Sequence, residues 1–305
     1  MKQNLTIIVL IYNSSKIIEI CLSNLNFDKY KVIIIDNASV DNGIAIVQNK
    51  FPQAQIIALK KNVGYSRANN IALRLVKTEF ALLINADSII DCNNIEKITA
   101  LMAKNPAIAI AGPMVYGCHN QNGRIVKNSF CTKIINHAKL NYLENEDFYF
   151  NQFITGAAMF LNMKIMSEIG FFDEGFFLYC EDNDICKRAI KEGYKTAIAK
   201  NSKFYHLSGQ SCVITREESF RIDWHRFGWS KAYYTEKRQG FLAGKIKAII
   251  IILKFGVSSL KEKILNGKVS VKNQAALQGS YAYLIGLGAF DENGEARGIK
   301  KQIDN

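Results

Sequence analysis

A chain of 305 residues that is 49% hydrophobic and 22% charged holds enough apolar content for a sizeable core, one large domain with an appendage. Its seven cysteines are odd in number and form no C-x-x-C pair, which excludes a zinc-finger or disulfide framework and reads as reduced, packed thiols. A formal charge of +12 without an Arg-rich helix, zinc finger or RNP-type aromatic motif argues against nucleic acid and for another anionic partner.

Leu5–Ile11 is an apolar run of strand length. It is too short for the apolar core of a secretory leader and ends in Tyr12-Asn13, so a cytosolic protein is expected. Asn13, Ser14 and Ser15 are helix-capping types, and apolar residues from Ile17 to Leu25 recur at helical spacing. Lys31–Ile35 reads as a second strand closed by Asp36-Asn37-Ala38-Ser39. A helix through Ile44–Val47 and a strand at Gln55–Leu59 follow. Asn62-Val63-Gly64 makes a turn, Ser66–Val76 a helix, and Phe80–Ile84 a strand that ends at Asn85-Ala86-Asp87. Continuous apolar strands separated by helical stretches indicate βαβ units around a mostly parallel sheet. Polar residues stand right after each strand, where open α/β sheets bind ligands.

The first of these turns has no glycine, which disfavours a dinucleotide-binding fold, a P-loop enzyme and a nucleotidyltransferase. Asp36 closes a strand and could accept from a ribose hydroxyl or a base N–H. Asp87 could hold Mg²⁺ or Mn²⁺ together with substrate phosphates, although an Asp here also serves as a plain turn former. His206 follows a short strand at Lys203–Tyr205 and could equally be a structural histidine. His119, His137 and His225 have no acidic neighbours or strand-end signal and read as surface or packing residues. Between Gly170 and Arg188 an aromatic-rich run leads into Glu181-Asp182, which opens an amphipathic helix. Acids are favoured at a helix start by its dipole, so a solvated first-turn pair competes with a functional one.

Taken in order, IIVLIYNSS, VIIIDNASVD (32–41), NVGYSRANN (62–70), LLINADS (82–88), FITGAAMFLN (153–162), IGFFDEGFFLYCEDNDICKRAIKEGYK (169–195) and YHLSGQS (205–211) resemble family 2 glycosyltransferases of the GT-A fold. The likeness is greatest to the rhamnosyltransferase and galactofuranosyltransferase branch, and it covers about residues 4–211. It implies a GT-A domain over 1–212, with a nucleotide-sugar half to about 115 and an acceptor half beyond, followed by a basic helical region over 213–305. It implies that Asp36 and Asn37 meet the nucleotide, with Tyr12 and Asn13 shaping the base pocket. Asn62, Gly64, Arg67 and Asn85 would face the sugar diphosphate. Asp87 matches the second acid of the family's D-x-D metal motif, whose first acid is replaced by Asn85, and His206 matches a further ligand for Mn²⁺ or Mg²⁺. Asp182 matches the general base. Glu181, Asp173, Glu174, Thr155 and Gly156 would support it and line the donor-sugar and acceptor region.

The implied reaction suits these residue types. Inverting transfer is one displacement, so one carboxylate must take the acceptor's proton while a cation offsets charge on the leaving diphosphate. A retaining glycosidase needs two carboxylates flanking the bond, which neighbours on one helix cannot supply. The resemblance further implies a nucleoside-diphosphate donor, dTDP-rhamnose before UDP-hexose or UDP-galactofuranose. The acceptor would be a lipid-linked or polysaccharide molecule in cell-surface glycan assembly, and a catalytically inactive sugar-nucleotide-binding protein is the alternative.

The positive charge lies in the second half: residues 1–182 hold 17 Lys and Arg against 16 Asp and Glu, residues 183–305 hold 22 against 11. From Glu217 onward the pattern is helical, with aromatics interleaved among basic residues. Ile246–Leu260 is apolar but shorter than the roughly 20 residues of a spanning helix. It reads either as an interfacial helix at the inner face of a membrane or as a packing or dimer helix. Tyr281–Ala289 reads as a final packing segment and Asp291–Asn305 as a loose polar end.

Overall fold

The computed structural model describes residues 4–89, 92–121, 124–130, 147–207 and 215–298. The chain folds into two compact units. The first comprises Met1–Lys60, Ala68–Phe172 and Asp182–Val213. The second comprises Lys61–Arg67, Asp173–Glu181 and Ile214–Asn305.

The first unit is built on the apolar runs of the first half. Strand β1 (Leu5–Ile11) leads through helix α1 (Ile18–Leu22) to β2 (Lys31–Asp36), and α2 (Gly43–Lys50) leads to β3 (Gln55–Ala58). Helix α3 (Gly64–Leu73) precedes β4 (Phe80–Asn85). These four strands pair in parallel in the order β3-β2-β1-β4, which needs a crossover connection, here through a helix, between successive strands. Val32–Ile35 and Ala81–Leu83 are fully or nearly fully buried, which is why these strands are apolar at every position and not at alternate ones.

Beyond β4 the sheet is mixed, an arrangement the apolar runs alone do not announce. A two-residue strand β5 (Ser88–Ile89) and helix α4 (Cys92–Lys104) lead to the long β6 (Ile108–Gln121), which pairs with β7 (Arg124–Phe130). Then come β8 (Phe148–Phe150), β9 (Ala158–Asn162), α5 (Met163–Ile169), α6 (Glu181–Lys191) and β10 (Lys195–His206). The full order is β3-β2-β1-β4-β9-β6-β10-β5, with β7 on β6 and β8 on β10, ten strands among the described residues. Antiparallel β9 lies between β4 and β6, and β5 runs antiparallel to β10. The segment Lys203–Tyr205, read from sequence as a short strand, is the last part of twelve-residue β10.

The second unit is helical: α7 (Arg216–Asp223), a π-helical stretch Trp224–Trp229, α8 (Ser230–Gln239), α9 (Phe241–Asn266) and α10 (Val271–Leu284). Thr215 and Glu218 form a reciprocal capping box at the start of α7. The π-helical stretch approaches α10 through two glycines. A Cβ on Gly279 would stand 2.4 Å from the Trp224 carbonyl oxygen, so only glycine permits that spacing. Around it Phe220, Trp224, Trp229, Ala248 and Tyr283 make a core.

One expectation is overturned. The end of the chain is not loose as far as residue 298. Arg297 N–H bonds the Ala289 carbonyl, Asp291 N–H bonds the Glu295 carbonyl, and Phe290 packs on Phe177 at 5.8 Å between ring centroids. Ala289 and Ala296 are buried in the core of this unit with Phe290 packed against it, so apolar contact and these backbone bonds hold a segment of polar composition. The segment Tyr281–Ala289 does pack, with Ala282, Tyr283 and Ala289 buried in the core of this unit; it is helical as far as Leu284, and Tyr281 and Ile285 face outward.

Candidate active site

In the first unit the polar residues collect where β1, β2 and β4 end. Asn13 has a left-handed backbone (φ 50°), which lets its N–H bond the Ser39 hydroxyl at 2.8 Å while its Oδ1 accepts from Val40 N–H at 2.9 Å. Tyr12 is half-buried and its N–H donates to Ser14 Oγ at 3.2 Å. Asp36 is buried, and both its oxygens accept from Ser39 N–H at 3.2 Å, with the Ser39 hydroxyl bound to Oδ1 as well. Burial nevertheless outweighs these bonds and raises the Asp36 carboxyl above its ordinary pKa. Asn37 is buried beside it, its N–H on the Ile11 carbonyl at 3.0 Å.

Asp87 follows β4 and is buried. The register that sets His206 opposite Ser88 brings the imidazole to it, Nε2 standing 3.2 Å from Asp87 Oδ1. That contact lies outside good hydrogen-bond alignment, so Oδ1 remains a buried oxygen with no hydrogen bond among the described residues. Such an atom is expensive unless something else binds it. The Leu207 N–H holds the Asp87 carbonyl at 2.8 Å and fixes the turn.

The segment Thr155–Ala157 links this corner to the start of α6. The Ala157 carbonyl accepts from Asn85 N–H and Ser88 Oγ, both at 3.2 Å, and the Thr155 hydroxyl accepts from Ala157 N–H at 3.4 Å. One residue earlier, Gly156 N–H points at Asp182 Oδ2, 3.4 Å away. Asp182 Oδ1 accepts from the Asn183 backbone at 2.8 Å and from its side chain at 3.2 Å. Desolvation outweighs these donors and raises the Asp182 carboxyl above the usual carboxylate range. Lower on α6 the Arg188 guanidinium bonds Asp184 at 2.9 Å and the carbonyls of Ile169 and Gly170 at 2.7 and 2.9 Å, pinning the loop behind α5.

In the second unit, Asn62 Oδ1 accepts from Gly64 N–H at 3.0 Å. Gly64 has φ +84°, and a Cβ there would lie 2.4 Å from the Phe177 carbonyl oxygen. Arg67 lies with its guanidinium carbon 3.5 Å from the Phe290 ring centroid, and its Nε donates to the Glu174 carbonyl at 3.1 Å. Asp173 accepts from Gly175 N–H (2.8 Å), Tyr233 Oη (3.0 Å) and Lys237 Nζ (2.5 Å). Burial alone would raise its pKa, but these donors prevail and hold it below the ordinary value. Glu181 is buried and Asp182 half-buried, so the first acid of the pair that opens α6 is not on a solvated face. Just before it, Tyr179 (φ 69°) and Cys180 (φ 74°) are consecutive non-glycine residues in left-handed conformation. Such strain costs about 1–3 kcal/mol per residue and collects at functional sites.

Sequence reading missed three groups that shape these surroundings. Ser39, Asn183 and Arg188 each satisfy or hold a group of interest. The D-x-x-S spacing at 36–39 and the Asp184–Arg188 i,i+4 pair were available as signals. Asn183 had none, since its role depends on where Asp182 points.

Against known proteins, the description "Glycosyl transferase family 2" matches residues 6–170, more than half the chain. The chain therefore belongs to glycosyl transferase family 2, and its fold is GT-A with a helical C-terminal region. It is 30% identical over 90 residues to the SPbeta prophage-derived glycosyltransferase SunS of Bacillus subtilis (strain 168), a stretch covering 30% of this chain and only 21% of SunS. It is 21% identical to glycosyltransferase GlyG of Streptococcus pneumoniae serotype 4, over 74% of this chain and 77% of GlyG. Among solved structures it resembles mannosyltransferase PcManGT from Pyrobaculum calidifontis in complex with GDP-Man and Mn²⁺. That likeness has a TM-score of 0.52 and 13% identity, and covers 92% of this chain and 87% of the other.

Proposed function

We propose that the protein is an inverting glycosyltransferase that moves a sugar from a nucleoside-diphosphate donor to a glycan or lipid-linked acceptor hydroxyl. The observation that carries this reading is the run of side-chain and backbone contacts from Asp87 and His206 through Ser88 and Thr155–Ala157 to Asp182. A candidate cation ligand pair and a candidate base thereby stand on one continuous piece of the sheet's carboxyl edge. In this reading Asp36, Asn37, Tyr12 and Asn13 hold the nucleotide. Asn62, Gly64, Arg67 and Asn85 attend the diphosphate, while Glu181, Asp173, Glu174, Thr155 and Gly156 shape the acceptor region.

Asp182 takes the proton of the acceptor hydroxyl as that oxygen bonds to the anomeric carbon and the bond to the diphosphate breaks. A base with a raised pKa accepts that proton more readily than an ordinary carboxylate, so burial serves the chemistry. Gly156 N–H and Asn183 aim the carboxylate. The buried, unbonded Asp87 Oδ1 and the nearby imidazole suit a hard divalent cation, Mn²⁺ or Mg²⁺. Such an ion would offset the charge on the leaving diphosphate. No group of three or more His, Cys, Asp or Glu side chains suited to a metal exists among the described residues. The two ligands here would therefore be completed by diphosphate oxygens and water.

The motif likeness supports dTDP-rhamnose as donor ahead of UDP-hexose or UDP-galactofuranose, and a place in cell-surface glycan assembly. No helix among the described residues is long and apolar enough to cross a membrane. A peripheral position at the inner face of the cytoplasmic membrane, through the basic region 213–305, suits a lipid-linked acceptor. The test is Asp182→Asn, assayed against a panel of sugar nucleotides. Transfer is expected to fall roughly 10²- to 10⁴-fold with donor affinity retained. Near-parental turnover would remove Asp182 from the reaction.

A further inference from the structure

Helix α9 is apolar on two opposite faces. One, with Gly244, Ala248, Ile251 and Phe255, is buried within the second unit. The other carries Ile246, Ile250, Leu253, Val257, Leu260 and Ile264, which are 49–74% exposed. Their spacing of four and three residues keeps them in one row along more than four turns. Phe241 and Leu242 at the helix start, and Ile285 just after α10, are also more than half exposed. An outward apolar row of this length exceeds the scattered exposure a free surface normally shows.

The flanks of the row identify what covers it. Lys247, Lys254 and Lys261 each stand one position after Ile246, Leu253 and Leu260, forming a parallel basic edge, and Lys263 lies on the other side. Between residues 237 and 290 there are eight lysines, one arginine and a single acid, Glu262. That carboxylate is already occupied, accepting the Ser270 N–H at 2.7 Å. The positive field reaches Lys231 on α8, whose pKa is lowered by burial and further by Lys247, Lys254 and Arg226 acting against Cys180.

The 3.5-residue spacing would also fit a seam between two copies of α9. In such a pair the flanks face one another, and oppositely charged flanks favour pairing. Here a lysine edge would meet lysine or an uncharged residue, with no acid to offset it. An anionic surface meets the same edge with complementary charge.

We propose that the outer face of α9 docks in the plane of an anionic phospholipid bilayer, its apolar row in the acyl boundary and its lysines at the headgroups. This inference gives residues to the peripheral contact of the proposed function and rests on that reading for its partner. Apolar burial and attraction between lysines and acidic lipid act together in such helices.

The experiment is co-sedimentation of the full chain with vesicles of equal parts phosphatidylglycerol and phosphatidylcholine, against pure phosphatidylcholine, over a range of salt. The parent is expected to bind the acidic vesicles, to bind neutral ones poorly, and to be released as salt screens the charges. The triple variant Lys247→Gln, Lys254→Gln, Lys261→Gln should lose roughly 100-fold in partitioning, since each lysine near the surface contributes about 1 kcal/mol. A Leu253→Ser, Val257→Ser, Leu260→Ser variant should lose binding even at low salt while keeping its helical circular dichroism and melting temperature, because those side chains face outward. Equal binding to both vesicle types would overturn the proposal, as would no binding by a monomeric parent. A stable dimer that the Leu253 set dissociates would assign the row to a second copy instead. Vesicle binding without sugar transfer would leave this inference standing and remove only the proposed reaction.

Discussion

Asp182 shows how a single side chain couples stability to chemistry. Its folded-state pKa is raised, so the folded protein holds that proton more tightly than the unfolded chain does. Ionising it therefore costs stability, a loss that grows as pH rises through the ordinary carboxylate range near about 4 and levels off above the folded value. Asp182→Asn is thus expected to melt above the parent at pH 8 and to converge with it toward acid, while losing transfer. The parent's kcat/KM should fall on the acid side with an apparent pKa above the ordinary carboxylate value. A melting temperature unchanged or lowered at pH 8, together with an ordinary acid limb, would contradict a desolvated base. Tyr179 and Cys180 belong to the same theme. Two left-handed side-chain-bearing residues in a row are tolerated where the surroundings fix them. Here the Ser230 hydroxyl bonds the Leu178 carbonyl at 2.9 Å and the Arg226 guanidinium lies 5.3 Å from the Tyr179 ring.

At the scale of elements, the pairing of β5 with β10 is what brings His206 to Asp87. Two bridged residues, Ser88 opposite His206 and Ile89 opposite Tyr205, place the end of a twelve-residue strand against the turn after β4. If the two side chains hold a cation, Asp87→Ala and His206→Ala should each weaken Mn²⁺-dependent donor binding. The loss should be at least the roughly 10- to 100-fold typical of groups that only support a ligand. Titration calorimetry of donor with and without Mn²⁺ reads this directly, and EDTA should reproduce the loss in the parent. Donor binding indifferent to EDTA, with variants that merely melt earlier, would make the pair a fastening of the sheet edge.

In the helical unit, His225 is a buried group that contributes a response to acid. It is fully buried in the helical unit, its ring 4.7 Å from Phe177 and 4.6 Å from Trp224 by centroids. Its Nε2–H donates to the Arg297 carbonyl at 3.2 Å, while Nδ1 has no hydrogen-bond partner among the described residues. Burial, aided by Arg221 and opposed by the Arg297 bond, pushes its pKa down to about 3. The unfolded chain takes up a proton near pH 6.5 that the folded unit refuses until about pH 3. Stability should accordingly decline as pH falls below about 6.5, by about 1.4 kcal/mol per pH unit from this group. His225→Gln should flatten that slope whatever it does to stability at pH 8. A denaturation series showing the same slope in parent and variant would place the acid sensitivity elsewhere.

Much of the first unit was legible in the chain because its signals are local. A strand buried on both faces must be apolar at every position, so Leu5–Ile11, Lys31–Asp36 and Phe80–Asn85 stand out from any window that contains them, and the polar residues ending them follow at once. Asp36 and Asp87 could be picked out as candidates for the same reason, whereas Asp182 stood out as an acid opening a helix after an aromatic run and took its role from the family resemblance. The mixed half of the sheet was not legible, because β6, β9 and β10 take their places through partners distant in sequence. The meeting of His206 with Asp87 was implied only by the family resemblance and not by any local pattern, and nothing in the chain said that Gly156 and Asn183 aim Asp182 or that residues 289–298 fold back. Each of these depends on which surface meets which, and that is decided by long-range packing. Helix α9 shows the division most plainly. Its apolar and basic residues were evident in the chain, but a helix apolar on two faces does not announce which one the protein buries. Only the packing of Ala248, Ile251 and Phe255 settled that, and it left the other row facing outward.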